Sequence, residues 1–108
     1  MASRIDSLHA MLSRGQDSAL LRFSLGNEYL AADDPKSAAE HLLAAIALDR
    51  NYSAAWKLLG KAQSSSGERD AAMRTYKNGI QIAHDNGDRQ AAKEMAVFLR
   101  RMEKGKLT

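Results

Sequence analysis

The chain has 108 residues, 44% of them hydrophobic and 27% charged, with a formal net charge of +3: material for one domain with a thin core, and a basic excess too mild to single out nucleic acid as partner. With no cysteine it forms neither disulfides nor thiolate metal sites, which fits a reducing, cytoplasmic setting. No apolar run approaches the roughly 20 residues that span a bilayer, and the segment from Met1 to Ser7 lacks the charged-then-apolar layout of a secretory signal.

Ala, Leu, Arg, Lys, Glu and Gln dominate, Pro occurs once, and no stretch alternates with period two, so the elements are helices throughout. The first is predicted over 4–13 and ends at Gly15. Asp17 or Ser18 opens the second, 18–32. Asp34 as cap and Pro35 at the first helical position open the third, 35–48, whose apolar stripe is Ala38, Ala39, Leu42, Leu43, Ala45 and Ile46. A turn at Asn51-Tyr52-Ser53, with Ser53 as cap, precedes the fourth, 54–66, which ends before Gly67. The fifth, 69–85, ends at Gly87, and Asp88 caps the sixth, 89–104, with the stripe Ala92, Met95, Ala96, Leu99 and Met102. Connections of two to five residues make neighbours antiparallel.

The chain also repeats itself. A shift of 34 lays Leu25-Gly26 on Leu59-Gly60, Ala38 on Ala72, Leu42 on Tyr76, Ala45 on Gly79 and Ile46 on Ile80. The same phase carries Leu8 under Leu42 and Leu12 under Ile46, so the first helix reads as the second half of an incomplete repeat. The last helix fits better at a shift of 36, with Met95-Ala96 on Leu59-Gly60, which predicts about two extra residues in the preceding helix, near His84 to Gly87. The small residues permit close helix approach and the large ones fill the space between. A lone hairpin of this kind cannot bury both faces, so stacking is obligatory.

Trp56-Lys57-Leu58-Leu59-Gly60, then Ala72 and Tyr76, resembles the tetratricopeptide signature of Trp, Leu-Gly, a spaced Ala and an aromatic. Leu25-Gly26, Tyr29, Ala38 and Ala45 resemble it too, with Arg22 in place of the Trp, while Gln63 and Gly79 depart from the preferred Tyr and Ala. The resemblance implies an all-α, right-handed stack of about six antiparallel helices: a half repeat at 1–18, whole repeats at 19–52 and 53–86, and a capping helix and tail at 87–108. It also implies a small bacterial adaptor that holds another protein in a concave groove.

Carried over position by position, the groove candidates are Leu20, Phe23, Ser24, Asn27 and Leu30 from the first repeat, and Ala54, Lys57, Leu58, Lys61 and Ser64 from the second. Gln90, Lys93, Val97 and Arg100 come from the capping helix. Such a groove is apolar near Phe23 and Leu30 and basic near Lys57, Lys61 and Lys93, fitting a peptide or helix with an acidic segment and an apolar anchor. Some relatives clamp the C-terminal carboxylate of heat-shock chaperones at five set positions. Asn27 matches one, but Phe23, Leu58, Gln90 and Glu94 occupy the others, so the resemblance does not extend to that clamp.

No catalytic constellation, glycine-rich phosphate loop, cofactor motif or zinc-helix histidine pair is present. His9, His41 and His84 read as helix-surface or capping residues. Helical repeats can read RNA, but here acids interrupt the basic residues and aromatics are few. Val97 and Phe98 widen the apolar surface of the last helix, which opens a weak homodimer as a further reading; the alternative folds Phe98 against the preceding hairpin.

Overall fold

The computed structural model describes residues 3–106, and the expectations for Met1, Ala2 and the tail end at 107–108 lie outside them. Six helices follow in order: α1 Arg4–Ser13, α2 Ala19–Ala31, α3 Pro35–Leu48, α4 Ser53–Ser65, α5 Arg69–Asp85 and α6 Arg89–Lys106. Among the described residues there is no strand. The expected spans are each met to within two residues, and α5 has seventeen residues against the fourteen of α3, in line with the drift in register.

The boundaries follow from local chemistry. Ser18 Oγ accepts from the Leu21 amide at 3.0 Å and Asp34 Oδ1 from the Ser37 amide at 3.2 Å, each satisfying a free donor of the first turn. Gly15, Gly67 and Gly87 close their helices at φ of +81°, +81° and +75°, where a Cβ would be strained. Ser53 differs from the expectation. It is the first residue of α4, no side chain caps that helix, and its hydroxyl donates instead to Asp88 at the start of α6.

Each helix packs on its neighbours in sequence. Beyond these, α2 meets α4 and α4 meets α6, while the odd-numbered helices make no such second-neighbour contact. The even side is therefore the inner one, and the odd helices fan out along a body of 46 × 30 × 18 Å. Leu25, Leu42, Leu59 and Met95 are fully buried. Close approach needs the glycines: Leu42 lies over Gly26 and the Tyr76 ring over Gly60, while a Cβ at Gly79 would lie 2.6 Å from the Met95 sulfur. Polar contacts stitch the layers, with Thr75 Oγ1 donating to Gln63 Oε1 at 2.6 Å in the core, Trp56 Nε1 to the Arg50 carbonyl at 2.8 Å, and Asn86 Nδ2 to the Asn51 carbonyl at 2.7 Å.

Candidate functional site

On a helix, residues three and four apart share a face, so the inner sides of α2 and α4 present Asn27 and Leu30 opposite Leu58 and Lys61. These four meet at a depression of about 290 Å³ between the two helices, closed at one end by Asp33 and Pro35. A second depression, also about 290 Å³, lies between α4, α5 and α6. Tyr76, Phe98 and Met102 form its apolar side, and Lys61 and Arg101 its cationic rim. Both include Lys61 and Ser65, so they adjoin there and form a channel-like row across the even-numbered helices.

The aromatic floor is fixed by packing. Tyr76 is buried, its ring 5.8 Å from that of Phe98, and burial pushes its phenol up to about 12, which keeps it neutral at ordinary pH. Phe98 thus folds against the preceding hairpin. Charge is uneven along the channel. Lys57 Nζ lies 3.2 Å from Glu94 Oε2, and Glu94 Oε1 accepts from Gln90 Nε2 at 3.2 Å, so the cation expected to serve a partner already has an internal anion. Lys61 and Arg101 are exposed and make no ion pair among the described residues.

Of the residues expected from sequence, the structure brings Asn27, Leu30, Leu58 and Lys61 together. Phe23 is stacked on Tyr52 with centroids 4.9 Å apart, so its ring packs against the α3–α4 turn. Leu20, Lys93 and Arg100 are exposed and line neither depression. Tyr76, Phe98, Arg101 and Met102 were not expected there. The spacing of Phe98, Arg101 and Met102, at i, i+3 and i+4, marks them as one helix face, but the carried-over groove register selected the adjacent one.

Two of the histidines differ from expectation, and His84 lies as expected. His9 and His41 converge, their ring centroids 5.5 Å apart, and both pack on Tyr29; His84 is exposed at the end of α5. No group of three or more His, Asp or Glu among the described residues could hold a metal ion, and no described helix is long and apolar enough to cross a membrane.

The family model described as tetratricopeptide repeat matches residues 29–96. A TPR repeat-containing protein of Pseudomonas aeruginosa is 47% identical over 102 residues, which are 94% of this chain and 97% of that protein. A Bordetella parapertussis protein known from its solution structure superposes with a TM-score of 0.86 at 41% identity, over 97% of this chain and 91% of that one. The crystal structure of a tetratricopeptide repeat domain protein from Salinibacter ruber gives 0.75 at 24% identity, over 82% and 98%, and speaks to the fold alone. The stacked hairpins, the glycines beneath Leu42 and Tyr76, and the extent of these matches all place the chain in the tetratricopeptide-repeat family.

Proposed function

We propose that the chain is an interaction module that holds a segment of a partner protein along the channel of α2, α4 and α6. Tetratricopeptide repeats generally mediate protein–protein interaction and are typically scaffolds without catalysis. The observation that carries the reading is the adjacency of the two depressions across Lys61 and Ser65. An apolar side chain of the partner rests on Phe98 and Met102, its acidic groups approach Lys61 and Arg101, and its remainder runs past Leu58, Leu30 and Asn27. Relative to the sequence-based groove, the apolar anchor moves from Phe23 to Phe98, and the cationic role passes from Lys57 and Lys93 to Lys61 and Arg101. The module comprises two whole repeats, 19–52 and 53–86, between a half repeat and a capping helix, and works in the bacterial cytoplasm.

The test is affinity capture from the native host with wild type, the Lys61→Glu/Arg101→Glu double variant, and Leu43→Glu on the outer face as control. The expected result is a specific partner lost from the double variant and retained by the control. Retention by the double variant with loss from Leu43→Glu would move the site to the outer face.

A further inference from the structure

Helix α1 contains no fully buried residue. Apart from the half-buried Ile5, Leu8 and Leu12, polar and aromatic contacts hold it. Arg4 Nε lies 2.6 Å from Glu28 Oε1 on α2, and His9 Nε2 lies 2.7 Å from the Tyr29 hydroxyl. The His9 ring sits edge-on to Tyr29 and His41, with centroids 5.9 and 5.5 Å away, and those two rings stack within 5° of parallel. Behind them, Arg22 Nη1 approaches His41 Nδ1 at 3.1 Å while Arg22 Nε and Nη2 donate to Asp17 at 2.8 and 3.0 Å.

A guanidinium only donates hydrogen bonds, so His41 Nδ1 must accept, and that requires the neutral ring. A proton on Nδ1 would set N–H against N–H and place a second cation beside Arg22. From α1 the His9 ring packs edge-on against His41, so closing α1 covers the imidazole that must stay neutral. The facing anions compensate little. Asp17, from the α1–α2 loop, is engaged by Arg22, and Glu28 by Arg4. Asp6 of α1 accepts from the Ser3 amide, and Glu40, on α3 beside His41, is exposed.

We propose that α1 is an acid-released cap, closed on the solenoid while His41 is neutral and opened when its ring is protonated. Burial first, then Arg22 and His9, hold the His41 imidazole below its ordinary value, against the opposing pull of Glu40 and Asp17. The sign follows. The open form takes up the proton more readily, so closure is fully favoured above about pH 6.5 and weakens as the pH falls through that value.

Amide hydrogen exchange of the full chain, followed by NMR between about pH 7.5 and about pH 5.5 and referred to intrinsic rates, tests this. Protection in α1 from Leu8 to Leu12 should fall by about fivefold, while Leu59, Tyr76 and Met95 hold theirs. In the His9→Gln/His41→Gln variant the α1 protection should stay level across the range. A flat wild-type profile, an undiminished fall in the double variant, or loss at Leu59 together with α1 would each overturn the proposal. Should the double variant fail to hold α1 even near neutrality, Arg22→Gln decides, since removing the cation beside His41 should shrink the fall to below about threefold. A fall as large as in the wild type would reject the mechanism.

Discussion

At Gly60 the ring of Tyr76 occupies the space a methyl group would need. Alanine is the better helix former by about 1 kcal/mol, but Tyr76 is buried and backed by Phe98, so the ring cannot swing aside. Overpacking typically costs about 1–3 kcal/mol. Gly60→Ala should therefore lower stability by up to about 2 kcal/mol, read as a reduced urea midpoint at unchanged slope. An equal or higher midpoint would mean the α4–α5 contact is looser than it looks. This glycine was legible in the sequence because its partner lies at a repeat-fixed distance, as Gly26 does over Leu42. The His9–Tyr29–His41 cluster was not. Its members stand at intervals unrelated to 34, and they meet only because α1 crosses the α2–α3 hairpin at one particular level.

Among the elements, α6 depends on Asp88 more than a helix usually depends on its cap. One carboxylate oxygen accepts from the Ala91 amide at 3.1 Å and the other from the Ser53 hydroxyl of α4, so a single side chain both starts the helix and ties it to its second neighbour. Asp88→Ala should cost about 1–2 kcal/mol, the upper part of the capping range. The Ser53 hydroxyl, then the Ala91 amide, hold the Asp88 carboxyl below its ordinary value. That contribution is present above about pH 4 and is lost as the pH falls through the lowered native value. The difference in urea midpoint between wild type and variant should accordingly close in acid, and a constant difference would assign the effect to something other than the ionised cap. Helix existence and order were readable from glycine, proline and aspartate punctuation. The tie to Ser53 was not, because a serine before an apolar run reads as a cap until its hydroxyl is seen to bond elsewhere. The groove was legible in part for a related reason. The repeat phase identified α4 well enough to find Leu58 and Lys61, but the extra length of α5 leaves the face of α6 that meets them undetermined from sequence alone.

For the molecule as a whole, contacts run between helices adjacent in the stack and seldom further, so stability should be distributed along the chain as local blocks. Met95 offers a sharp probe of this. It is fully buried, its sulfur fills the space left by Gly79, and it lies in the layer where α6 covers α5. Met95→Ala removes most of that side chain from a fully buried site and should cost about 2–5 kcal/mol. If coupling is local, the loss concentrates in α5 and α6, whose amides become markedly less protected from exchange. Helices α2 and α3 hold their own buried residues, Leu25 and Leu42, with Leu42 over Gly26, and should lose far less. A uniform loss of protection from α2 to α6 would show that the six helices unfold as one cooperative block. Confinement to the α6 end would leave the depression at Phe98 and Met102 at the mercy of a helix that can loosen independently, and variants that stabilise α6 would then raise partner affinity without touching the partner.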